Sequence, residues 1–229
     1  LGAVPAVASY FKRIREICDR NGILLILDEV MCGMGRTGYL FASEYDDIPP
    51  DIVTIAKGLG AGYQPIGAMM CSNEIFEAIA DGSGFFQHGH TYLGHPMATA
   101  AAKAVLMQLK KDDLIPRVRT LGDHLQKRLE ATFAHHPNIG DIRGRGLFRG
   151  LELVADYKTK DPFDPSRTIN RKIKTAAMEY GLMCYPMGGT IDGNRGDHVL
   201  LAPPFIITED QVEELVEKLN SAIKTVFEQ

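Results

Sequence analysis

ILLILDE, residues 23–29, is the stretch on which the fold turns. Five apolar residues stand in a row from Ile23 to Leu27, and the run breaks at Asp28 and Glu29. A run that is apolar on both faces is the mark of a strand buried inside a parallel sheet. Upstream, Val7, Phe11, Ile14 and Cys18 share one helical face, with Pro5 suited to a first turn and Asn21-Gly22 to a stop. Downstream, residues 51–56 and 66–71 read as further strands, the first of them running into Lys57. Helices are predicted over 73–81 and, rich in alanine, over 96–110. Helices alternating with apolar strands give a doubly wound, mostly parallel α/β sheet that extends to residue 111.

The character changes from residue 112. Leu114, Val118, Leu121, Leu125 and Leu129 mark a long amphipathic helix. A strand from Leu147 to Val154 follows the loop RGRG, and a helix over 168–180 stops at Gly181. Short strands near 182–185 and 197–201 precede a last helix opened by Thr208 with Gln211 three residues on, the capping-box spacing. The expected division is thus a portion of a large domain over 1–111 and a smaller C-terminal α/β domain over 112–229. Because the chain opens on Leu1, directly before a helical pattern, it reads as beginning inside a domain, with an N-terminal part missing.

Composition narrows the function classes. With 45% hydrophobic residues the chain can bury a core, and a net charge of −4 offers nothing to a polyanion, so nucleic acid is not an expected partner. No apolar run reaches membrane-spanning length, so no membrane is expected either. Four scattered cysteines without a CxxC fit a reduced, cytoplasmic setting. His88 and His90 have the spacing of two metal ligands but lack a third, so no metal is expected.

Two charged residues stand at strand ends, where open parallel sheets collect ligands. Asp28 closes one strand, Lys57 closes the next, and Val30 shares the face of Asp28 while Glu29 points away. A carboxylate and an amine converging on one ligand suit pyridoxal 5'-phosphate (PLP). The lysine holds the aldehyde as a Schiff base, and the acid keeps the pyridine nitrogen protonated. The lysine, once displaced by a substrate amine, is free to move the Cα proton. The ordinary alternatives at this point are a turn-capping Asp28, a solvated Lys57 and a plain turn at GLGAG.

Four segments bear on that choice. LLILDEVMCGMGRTG (24–38), PDIVTIAKGLGAGYQPIGAM (50–69), HGHTYLGHPMATAAA (88–102) and HVLLAPPFIITEDQ (198–211) resemble, in order, the signature segments of the class III, ornithine/ω-amino-acid-type, PLP-dependent aminotransferases. The resemblance implies the PLP-dependent transferase fold (fold type I), represented by its C-terminal half. It implies that Asp28 binds the pyridine nitrogen, that Val30 packs on the ring and that Lys57 carries the cofactor. It also implies that Thr91 reaches the cofactor phosphate of the other subunit of a homodimer with shared active sites. The implied reaction moves an amino group from an amine, ω-amino acid or amino acid donor to a keto acid such as pyruvate or 2-oxoglutarate. Alternatives on the same scaffold are an aminomutase or racemase, or an inactive fragment of such an enzyme. Where some members carry a carboxylate-binding arginine before the APP segment, this chain has Leu200, which leaves Arg149 and Arg195 as substitutes to be placed. Arg36, among glycines, reads as structural, and the Arg143–Arg145 stretch, which could hold an anion, reads rather as a domain hinge.

Overall fold

The computed structural model describes residues 2–228, which fall into two compact units, 6–116 and 2–5 with 117–228.

In the first unit, α1 (Tyr10–Asn21) ends where the sequence says it should. Gly22 takes the left-handed conformation at φ 63 and its N–H bonds back to the carbonyls of Cys18 and Asp19. Its start is later than the apolar spacing suggests, because Ser9 is itself left-handed at φ 68, and Pro5 lies outside the helix. β1 (Ile26–Asp28) pairs in parallel with β2 (Ile52–Ile55), and β2 pairs antiparallel with β3 (Ala68–Cys71), giving the order β1-β2-β3. The antiparallel third strand departs from the parallel reading of this region. A parallel return needs a long crossover, usually through an α-helix. Between β2 and β3 the only helical structure is the 3-10 turn Lys57–Leu59, so the chain folds straight back.

A second departure concerns burial. Leu25 is buried with Cys18 and Ile48, and Leu27, Phe11 and Ile14 pack against them, but Ile23, Leu24 and Ile26 remain exposed. The described residues thus cover one face of this run rather than both. The start of β1 is tied to β2 by Asp51, whose carboxylate accepts from the Leu25 N–H at 2.6 Å and from Arg15 at 2.8 Å. Those two bonds, the Leu25 amide first, hold the Asp51 pKa below the usual carboxylate value. Helices α2 (Asn73–Asp81) and α3 (Pro96–Lys111) complete the unit.

The second unit is built on an antiparallel sheet in the order β4-β5-β7-β6, from β4 (Ile139–Arg145), β5 (Phe148–Leu153), β6 (Tyr185–Gly188) and β7 (Asp197–Leu201). The helices are α4 (Leu114–Phe133), α5 (Ile169–Glu179) and α6 (Glu209–Phe227). From Val118 to Leu129 the apolar stripe of α4 is buried as its spacing requires, together with Leu151 and Leu153 of β5, Val199 of β7, Ile173 of α5 and Leu219 of α6. The Thr208 hydroxyl accepts from the Gln211 N–H at 3.2 Å while Gln211 accepts from the Thr208 N–H at 3.0 Å, the reciprocal cap that the spacing predicts. β4 corrects the sequence reading, in which RGRG is a loop. Its glycines and charges hide a strand whose polar side chains find partners across the sheet. Arg143 pairs with Glu152 on β5, and its Nε also donates to the Gly2 carbonyl at 3.0 Å. No helix among the described residues is long and apolar enough to cross a membrane.

Candidate functional site

The parallel register sets Asp28 opposite Thr54, so the carboxylate stands at the end of β1 and Lys57 stands three residues beyond its partner on β2. The Glu29 N–H donates to the Thr54 carbonyl at 2.9 Å, extending the pairing one bond past Asp28. Both residues therefore emerge at the carboxyl ends of neighbouring parallel strands, and both side chains are exposed. Asp28 Oδ1 accepts from the Val30 N–H at 3.0 Å, which orients the carboxylate while engaging one of its two oxygens. Val30 lies in the turn after β1 rather than in the strand, half-buried, with its backbone serving Asp28.

Lys57 opens the 3-10 turn Lys57–Leu59 with a left-handed backbone at φ 40, an uncommon conformation for a residue with a Cβ. Its neighbour is constrained as well. A Cβ on Gly58 would lie 2.9 Å from Met34 Cβ, so only glycine lets the two loops approach this closely. Leu59 then enters a small core with Met34, Val53, Ile55 and Ala102 of α3. The lysine is thus held between a strand and a packed turn. Thr91 lies in the exposed turn that leads into α3, the helix that packs by Ala102 against Leu59.

Side-chain alternation alone points Glu29 away from Asp28 and gives it no role. In the structure it does point away, into the protein, where it is 3% exposed. Oε2 accepts from the Ala42 N–H at 2.6 Å and Oε1 from the Ser43 N–H at 2.8 Å. The Cys32 thiol lies 3.8 Å from Oε2. Burial, and then the Glu29 charge, push that thiol up to about 11, so it stays protonated at neutral pH and is no nucleophile there. Burial also lowers the Arg36 pKa to about 10, which still leaves it charged. The signal that could have found Glu29 is the pairing of two adjacent acids at a strand end, where alternation forces one of them inward.

In the second unit the two arginines left to be placed have structural partners. Arg149 is buried and donates to the carbonyls of Gly144 at 2.6 Å and Gly122 at 2.9 Å. Arg195 bonds Asp192 at 2.7 Å within an exposed loop. Leu200 lies on β7 between Tyr185 and Gly150. The His88 and His90 rings stack edge to face at 5.5 Å, and no group of three or more potential metal ligands occurs among the described residues.

Known proteins are similar to this chain in sequence and in fold. The sequence pattern of the family described as Aminotransferase class-III matches residues 1–223. An uncharacterized aminotransferase of Schizosaccharomyces pombe is 47% identical over 226 residues, covering 97% of this chain and 48% of the relative. Diaminobutyrate–2-oxoglutarate transaminase of Halomonas elongata is 36% identical over 228 residues, covering 98% of this chain and 47% of that enzyme. An amine transaminase from an uncultivated Pseudomonas species, solved in its PLP-bound form, superposes with a TM-score of 0.89 at 38% identity, over 98% of this chain and 49% of its own. The chain spans about half the length of the relatives it matches.

Proposed function

From the premise that the chain belongs to the class-III aminotransferases, we propose that it supplies the lysine and carboxylate of a PLP site that transfers an amino group from an amine or ω-amino acid to a keto acid such as pyruvate or 2-oxoglutarate. The observation that carries this reading is the placement of Asp28 and Lys57 at adjacent strand ends, one oxygen of Asp28 anchored by Val30 and Lys57 held by the Met34–Gly58 contact. The residues fit the group: an amine on a flexible stem for an aldehyde, and a carboxylate for a ring nitrogen. Bound PLP supplies an electron sink for the charge left when a substrate Cα–H bond breaks.

Lys57 would hold the cofactor through its amine and would carry the substrate Cα proton. Asp28 keeps the ring nitrogen protonated. Val30 would pack on the ring face. Thr91 would donate its hydroxyl to the cofactor phosphate of a second subunit, so that two copies of the enzyme would share their sites. The relatives named for 2-oxoglutarate and for amines favour these substrate classes here.

The test is a panel of amino donors with 2-oxoglutarate or pyruvate. Glutamate or alanine should appear in step with donor loss, whereas donor isomerised without consuming keto acid would assign a mutase or racemase instead. For the phosphate contact, Thr91→Val should weaken PLP binding by about 1–3 kcal/mol, the scale of one lost hydrogen bond to a charged group. In a mixed dimer whose one subunit carries both Thr91→Val and Lys57→Ala, the single remaining lysine site lies on the unmodified subunit and should bind PLP weakly; a site of normal affinity would refute the shared arrangement.

A further inference from the structure

We infer that Glu29 is a positioning residue that sets both Asp28 and Lys57, an inference that rests on the cofactor reading above. Its backbone does the first part. The Glu29 N–H bonds β2 through the Thr54 carbonyl at 2.9 Å, so the residue after Asp28 is fixed to the strand that delivers Lys57. Its carbonyl accepts from the Gly33 N–H at 2.9 Å, and the turn closes so tightly that a Cβ on Gly33 would meet the Glu29 carbonyl oxygen at 2.8 Å.

The side chain does the second part. The 3-10 turn Ala42–Tyr45 begins after Phe41, which has no side-chain acceptor for the turn's first amides. Glu29 reaches across 13 and 14 residues of chain to accept both, from Ala42 and Ser43. The carboxylate therefore staples the two ends of the 30–41 loop together. That loop carries Met34, 3% exposed, onto Gly58, and Leu40 and Phe41 against the same small core as Leu59. The path from Glu29 to Lys57 is thus continuous: carboxylate, stapled loop, Met34, Gly58. A buried carboxylate that lost one acceptor would leave a backbone N–H unpaired, and the loop would relax at the point where it presses on the lysine turn.

Two substitutions test this from opposite sides of one interaction in the intact, PLP-loaded enzyme. Glu29→Gln keeps the volume but sets an NH2 group against one of the two amides. Ala42→Pro removes the other partner's N–H and leaves Glu29 charged. Proline suits the first position of such a turn, and Phe41 before it is already extended at φ −116, ψ 138, as a residue preceding proline must be. Both variants should release PLP faster by about tenfold or more, because small misplacements of a reacting group carry large factors. Both should also shift the pH midpoint of the visible absorbance of the Lys57–PLP link, with Glu29→Asp, which keeps two oxygens, falling between them and the unmodified enzyme. If Glu29→Gln does not fold, Ala42→Pro alone decides between the outcomes. A lowered melting temperature with release rate and absorbance midpoint within about twofold of normal would make Glu29 a structural residue only and overturn the inference. An unmodified enzyme with no absorbance traceable to Lys57 would sink the cofactor reading and this inference with it, and is told apart because it appears without any substitution.

Discussion

Lys57→Ala should abolish covalent attachment of PLP and, with it, turnover. The expected loss is at least the ~10²–10⁴-fold that a positioned proton-transfer group contributes, since the same side chain also forms the covalent link. Lys57→Arg should be equally inactive. It retains the positive charge, but its guanidinium stays protonated and cannot attack an aldehyde, so the variant separates charge from nucleophilicity. Neither change should unfold the protein, because the Lys57 side chain is exposed and the turn is held by Gly58 and Leu59 rather than by the lysine itself. The measurement is borohydride reduction of the PLP-loaded protein followed by peptide mapping. The label should fall on the peptide containing Lys57 and disappear in both variants. A label on any other lysine overturns the assignment.

The sequence is most legible where one principle acts alone. The α4 stripe from Leu114 to Leu129 and the Thr208–Gln211 cap depend on local spacing, and both stand in the fold as that spacing predicts. Asp28 and Lys57 are legible because each follows an apolar run, and a parallel pairing of those runs puts both at one sheet edge. What escapes depends on partners distant in sequence. β4 is hidden because Arg143 and Gly144 read as loop residues until Glu152 and the Gly2 carbonyl supply their partners. The direction of β3 follows from a connection that lacks a helix, which no periodicity in 66–71 announces. Glu29 is legible only as to its direction. That it caps a turn at Ala42 and Ser43 requires knowing how the 30–41 loop closes.

Asp28→Asn separates the structural from the electrostatic role of the strand-end carboxylate. Asparagine keeps the shape of the side chain, and its amide oxygen can still accept the Val30 N–H that Asp28 Oδ1 takes at 3.0 Å. The side chain is exposed, so the change leaves no buried charge or cavity behind. Stability should therefore move by no more than the ~0.5 kcal/mol usual for surface substitutions. Catalysis should not be spared. A carboxylate beside the pyridine nitrogen raises that nitrogen's pKa by stabilising its protonated form, and a neutral amide does not. With the proton lost the ring is a weaker acceptor for the electrons of the broken Cα–H bond. The expected fall in kcat is about 10²–10³-fold, the scale of removing one preorganised electrostatic partner from a transition state. PLP should still attach to Lys57, so borohydride labelling survives while single-turnover proton removal slows. The decisive comparison is a thermal melt set beside single-turnover kinetics of the same preparation. An unchanged melt with a large kinetic loss assigns Asp28 to the cofactor ring. Near-normal turnover would instead make the Asp28–Val30 bond a turn cap and nothing more.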